Sequence, residues 1–144
     1  MIVSTPREAI WAWMNSRLRI GWSEDFRAIG IVQGDCLRAA VAYNGFVGRA
    51  CMMHGAIDDP RVVNRTFREA IFSYPFRDLK LECLIGQVDS TNTHMLDMAT
   101  RLGFSEDYRL RGSGTDGCDL VHLHLYRETW MAHNELRTQR AQSA

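Results

Sequence analysis

The spacing of apolar positions along this chain changes several times, and each change marks an element. Ser4 and Thr5 precede Pro6, the order expected where a helix starts. Ile10, Trp13, Met14 and Leu18 then recur at helical spacing, predicting an amphipathic helix from residue 6 to about 18, ended by Gly21. Three extended runs follow: FRAIGIVQ, CLRAAVAY and GRACMMHGAI. Gly34-Asp35 separates the first two and Asn44-Gly45 the second two. Asn-Gly is a strong hairpin signal, because both central residues of a type I′ turn need positive φ. The pattern predicts a three-stranded antiparallel meander over residues 26–57.

At Asp58-Asp59-Pro60 the period turns helical again, with Val63, Phe67, Ala70, Ile71 and Tyr74 on one face and Pro75 as the stop. LKLECLIGQV reads as a buried strand. In DSTNTHMLDMATRLGF, Asp89 or Ser90 is the expected cap and Asn92 falls in the first turn. Met95, Met98, Ala99 and Leu102 form an inward stripe, Gly103 takes the closing left-handed conformation, and Phe104 folds back on the last turn. DYRLR and CDLVHLHLY are two more strands, joined by the turn-rich loop 112–117. From Arg127 the chain is at most helical, polar and frayed towards its end. The strand–helix–strand unit of residues 48–88 is a crossover, which allows strands 48–57 and 80–88 to pair in parallel.

Composition narrows the function. Apolar residues make up 46% and charged residues 24%, and 17 basic residues balance 17 acidic ones. No global field points to nucleic acid or to an anionic membrane, and neither is expected as a partner. No apolar run approaches the ~20 residues of a membrane span, and MIVSTPREAIW lacks the pattern of a secretory signal. Cys36, Cys51, Cys83 and Cys118 are far apart, with no Cys-x-x-Cys pair, and read as reduced core thiols of a cytoplasmic protein.

The candidate chemistry is sparse. His54 lies mid-strand, where a neutral imidazole can accept a proton or simply be a hydrogen-bonded core residue. His94 sits in a first helical turn, a position that ordinarily faces solvent. His122 and His124 share a strand face, but no third ligand is named by the sequence and no metal is expected. Trp11, Trp13, Trp22 and Phe26 crowd the N-terminal region as core, as the wall of a substrate pocket or as a homodimer contact. No serine or cysteine sits in an activated nucleophile context.

Asn92, Leu102-Gly103-Phe104, Leu110-Arg111, Gly117-x-Asp119-Leu120 and Tyr126-Arg127-Glu128 together resemble the C-terminal half of the GCN5-related N-acetyltransferase (GNAT) family. With Phe72-x-Tyr74-Pro75-Phe76, the resemblance is nearest to the branch that modifies ribosomal-protein N-termini and to compact phage and prophage relatives. It implies an α/β (α+β) fold with a mixed central sheet: an antiparallel meander, a β-α-β crossover, a helix and C-terminal antiparallel strands. Residues 1–130 would form one acetyltransferase-like domain and residues 131–144 a polar tail. In that family the pantetheine arm of acetyl-CoA lies where two neighbouring strands splay apart. The implied cofactor contacts are Met53, Gly55, Val62, Val63, Asn64, Arg65, Thr66, Val88 and Asn92, with Gly55 as a bulge and His54 as the candidate base.

Two departures from the family pattern matter. The phosphate loop, Pro60-Arg61-Val62-Val63-Asn64-Arg65-Thr66, has no glycine; Arg61 and Arg65 could offset that, and the aspartates upstream oppose it. The positions that supply a proton-donating tyrosine or serine in the family hold Ala99 and Met95. The implied activity is transfer of an acetyl group from acetyl-CoA to a primary amine, on a small molecule or a protein N-terminus. The alternative is an acetyltransferase-like binding or phage accessory protein with reduced catalysis.

Overall fold

Two compact units follow one another in this protein, dividing after Lys80. The computed structural model describes residues 1–143. The first unit contains strand β1 (Ile2–Val3), helix α1 (Arg7–Leu18), β2 (Arg27–Gln33), β3 (Cys36–Val47), β4 (Ala50–Ile57) and α2 (Arg65–Ser73). Its strands pair antiparallel in the order β1-β2-β3-β4. Ala28 faces Ala42, and Ala40 faces Ala56. These short side chains leave room for α1, whose Ile10 and Met14 join them in one buried cluster with Phe26. Burying a side chain the size of Met14 or Phe26 contributes roughly 1.5–3 kcal/mol. The opposite face carries Tyr43, whose hydroxyl donates to the Ile71 carbonyl of α2 at 2.5 Å. Phe67, Ile71 and Phe72 of α2 are buried.

Several expected boundaries move. Pro6 itself occupies the cap position of α1, without a side-chain bond, so neither Ser4 nor Thr5 caps it. Arg19 closes the helix in the left-handed conformation, ahead of Gly21. The run after Asp59 does not start α2: Pro60–Val62 form a single 3-10 turn, and α2 begins at Arg65. Asn64 takes the cap role, its Oδ1 accepting the Phe67 N–H at 2.9 Å. Pro75 does not stop the chain turning. Tyr74–Asp78 form a wider, π-type turn in which Leu79 N–H reaches the Tyr74 carbonyl.

The second unit contains β5 (Cys83–Asp89), α3 (Thr93–Leu102), β6 (Ser105–Leu110), β7 (Leu120–Tyr126) and α4 (Arg127–Ser143). Its strands are antiparallel in the order β5-β7-β6. Alternation along β7 buries Val121, Leu123 and Leu125 and turns His122 and His124 to the other face. Ala99 of α3 packs on Val121 and Leu123, with Val88, Leu96 and Phe104 around them. Gly103 closes α3 at φ 106°, as its position predicts. The tail from Arg127 is not frayed: α4 is continuous to Ser143 and anchored by buried Trp130. Among the described residues the four cysteines are free, and of them only Cys51 is buried; Cys36 is exposed. No helix among the described residues is long and apolar enough to cross a membrane.

Candidate active site

The largest departure from expectation lies between β3 and β4. Asn44-Gly45 is not the hairpin turn. The ladder runs on through Asn44↔Met52, the turn is Gly48-Arg49, and Val47 pairs with Ala50. Gly45 and Phe46 together stand opposite Cys51, which makes a β-bulge with a left-handed glycine, φ 62°, in first position. Two glycines in this stretch have positive φ; Gly48, at 58°, makes the turn. Asp25 pins the bulge by accepting the Phe46 N–H at 3.1 Å on Oδ2 and the Ser23 hydroxyl at 2.5 Å on Oδ1. The Ser23 bond and then the Phe46 N–H hold the Asp25 carboxyl below the ordinary carboxylate range.

The consequence reaches His54. On β4, His54 sits opposite Ala42 and diagonal to Asn44, all on the face that receives α1. Its Nε2 lies 2.8 Å from Asn44 Oδ1. An amide oxygen can only accept, so Nε2 carries the hydrogen and Nδ1 keeps its lone pair. The ring is partly buried, and that burial pushes its pKa below the ordinary value, so it is neutral at neutral pH. Met53 and Gly55 point to the opposite face of β4 from His54. Gly55 is not a bulge on the β3 edge, where Val41↔Gly55 continues an unbroken register. A Cβ built on Gly55 would meet nothing within 4 Å, so the space beside this residue is open.

The expected phosphate loop is also rearranged. Val62 is buried and does not line a ligand site with its side chain. Val63 is partly buried, whereas Asn64, Arg65 and Thr66 are exposed. Asn64 spends its Oδ1 on the cap, and the Arg68 N–H bonds the Asn64 carbonyl. The N–H groups of Arg65 and Thr66 are therefore the first-turn donors of α2 left pointing out of the helix. Arg61 is engaged by Asp59 through paired bonds of 2.9 and 3.1 Å. Asp58 is engaged by Arg17 at 2.8 and 2.7 Å. Both aspartates, expected to oppose an anion here, are thus matched by cations; Arg65 carries the positive charge of the helix start.

In the second unit Asn92, not Asp89 or Ser90, caps α3, accepting the Met95 N–H at 3.2 Å. Asp89 instead accepts the Thr115 N–H of the 112–117 loop at 3.0 Å, and Ser90 the Asp119 N–H just beyond it at 3.1 Å. Val88 is partly buried in the cluster around Ala99. His94 is exposed. His122 and His124 do find a third group: each donates its Nδ1–H to Asp107, at 3.0 and 2.5 Å. These bonds use the ring N–H groups around one carboxylate; among the described residues no His, Cys, Asp and Glu cluster is arranged to hold an ion. Phe26 is core, Trp11 and Trp13 pack against that core, and Trp22 stands at its rim against Trp11 and Phe26. A groove of 520 Å³ in the first unit, lined by Ile2, Val3, Arg27, Tyr74 and Asp78 among others, contains none of the expected site residues.

No family model matches the sequence, and no curated protein matches it. Solved structures do. A mutant form of the spermidine/spermine N-acetyltransferase SpeG from Vibrio cholerae superposes with a TM-score of 0.77 at 13% identity, covering 92% of this chain and 98% of that one. The same enzyme in complex with manganese ions gives 0.76 at 14%, covering 92% and 95%. A SpeG chimera from V. cholerae and hSSAT gives 0.74 at 14%, covering 91% and 98%. The chain shares the fold of these N-acetyltransferases.

That mixed α/β fold agrees with the fold class expected from the motifs. The structures named are polyamine enzymes, so they support the fold and not the ribosomal-protein or phage branch. Within the acetyltransferase fold, Asn44 is the residue that sequence reasoning missed. Asn-Gly was assigned to a turn, which would have put Asn44 at a hairpin tip. The signal that could have found it is the second glycine, Gly48, which offers an equally good turn three residues later.

Proposed function

We propose that this protein is an acyl-CoA-dependent N-acyltransferase that moves an acetyl group from acetyl-CoA to a primary amine. The observation that carries the reading is His54, a neutral imidazole held mid-strand on β4 with Nδ1 unprotonated. In the proposed reaction Nδ1 takes a proton from the incoming ammonium, directly or through water. The free amine attacks the thioester carbonyl, its nitrogen gives up a second proton to solvent, the C–S bond breaks in the tetrahedral intermediate, and CoA leaves as thiolate with the amide as product. Ala99 and Met95 donate no proton, so solvent protonates that thiolate. Backbone N–H groups around Met53, His54 and Gly55 are the proposed partners of the carbonyl oxygen.

For the cofactor, the open space at Gly55 and the outward N–H groups of Arg65 and Thr66 support a place for a thioester arm and an anionic end. Val62, Val63 and Asn64 would then contribute backbone rather than side chain. Val88 and Asn92 are further proposed contacts, Asn92 through the part of its amide that the cap leaves unused. The acceptor is a small-molecule amine or a protein N-terminus. The polyamine activity of the structural relatives makes spermidine the first compound to try. A homodimer and a cytoplasmic setting belong to the same proposal.

The glycine-free helix start and the exposed pairing of Arg61 with Asp59 favour a second reading, a binding protein on this fold with catalysis reduced, as in a phage accessory role. Calorimetry with acetyl-CoA and desulfo-CoA, followed by thiol release in the presence of spermidine or an N-terminal peptide, separates the two. Binding with thiol release supports the enzyme. Binding without release across both amines supports the second reading, and binding of neither cofactor overturns both as CoA-dependent functions.

A further inference from the structure

We infer that Asn44 is the positioning residue for His54, fixing the tautomer that leaves Nδ1 as the proton-accepting atom. The inference concerns a residue outside the expected site and rests, for its catalytic meaning, on the acyltransferase reading above.

The geometry is specific. Asn44 is placed by the bulge, not by an ordinary strand position: with Gly45 left-handed and the Phe46 N–H held by Asp25, the pleat at Asn44 stays in register with Met52. The side chain therefore reaches across the ladder to the residue diagonal to it, and Oδ1 meets His54 Nε2 at 2.8 Å. On that face Ala42 stands directly opposite His54, Ala40 and Ala56 lie beyond, and Met52 is the next residue along β4. None of these four side chains offers an oxygen or nitrogen acceptor, so the amide of Asn44 is the polar group of the ladder that orients the ring. Free imidazole exchanges between two neutral tautomers. One strong acceptor at Nε2 selects a single form and aims Nδ1 away from Asn44. A base so held is ready at one atom and needs no reorientation when an amine arrives. Asp25, through Phe46, supports this arrangement from outside the ring's own contacts.

The test reads the tautomer directly by long-range ¹⁵N–¹H correlation of the His54 ring at pH above 7, on the full chain without ligand. Wild type is expected to show protonated Nε2 and bare Nδ1. Asn44→Asp, which keeps the acceptor oxygen, should keep that pattern. Asn44→Leu, which removes it, should give mixed tautomers. A wild-type ring already mixed or protonated at Nδ1 overturns the inference, even if the leucine variant fails to fold. So does a leucine variant with an unchanged ring pattern. Kinetics adds an independent arm: Asn44→Leu should lower kcat on the order of 10-fold, with KM for acetyl-CoA within about twofold, as a fraction of what a general base supplies. A kcat within twofold of wild type would refute the positioning role while leaving the acyltransferase reading intact. Absence of acetyl transfer in wild type, with the expected tautomer present, would sink that reading and leave the orientation of His54 standing.

Discussion

At the residue scale, the protonation of His54 decides what the strand can do. Burial lowers its folded-state pKa below the ordinary 6.5. The unfolded chain therefore takes up a proton first as pH falls. The stability contributed by the neutral ring is full above about 6.5 and is lost as pH drops from the unfolded value through the lower folded one. Urea midpoints for wild type and His54→Gln should converge in slope above that value, and the wild type alone should carry this loss below it. In an acetyl-transfer assay the rising limb of kcat/KM should lie below pH 6.5, and His54→Gln should lose on the order of 10²-fold. An unchanged rate in that variant would assign the proton to solvent. Asn44 was illegible because its own dipeptide carries two meanings. A left-handed glycine serves a turn and a bulge equally, and only the competing Gly48 and the ladder around it decide which.

At the scale of elements, helix starts were legible in kind but not in place. Asp59-Pro60 carries the cap-and-proline signature, yet it closes only a 3-10 turn, because Asn64 offers a second cap just before the buried Phe67. At α3 three polar residues compete, and Asp89 is taken by Thr115 and Ser90 by Asp119, contacts distant in sequence. Three expectations follow. Asn64→Ala and Asn92→Ala should each lower stability by about 1 kcal/mol without any ligand, measured by urea unfolding, because each loses its cap bond. Gly114→Ala should destabilise by about 1–3 kcal/mol, since its Cβ would lie 2.5 Å from Cys118 Sγ and 2.8 Å from the Asp119 carbonyl. A Cβ at Gly55 meets nothing within 4 Å, so Gly55→Ala should leave the unfolding midpoint close to that of wild type while weakening acetyl-CoA binding by calorimetry. Unchanged binding would remove Gly55 from the cofactor contacts.

For the molecule as a whole, equal numbers of basic and acidic residues put the isoelectric point near 7.0. Solubility should therefore be poorest near pH 7 and improve as net charge grows on either side of it, a trend that light scattering across pH will check. The sequence alone determined the order of helices and strands from α1 to β7, because apolar period is set by the geometry of each element and survives without tertiary context; the two-residue β1 is too short to show a period. Turn and cap chemistry also carried over where one residue had no rival, as at Gly103 and Gly34-Asp35. Tertiary structure decided which of several competent residues took each role: which glycine turned and which bulged, which polar residue capped, and that Asn44 faces His54. Those choices depend on register, and register is fixed by buried faces meeting across strands far apart in the chain.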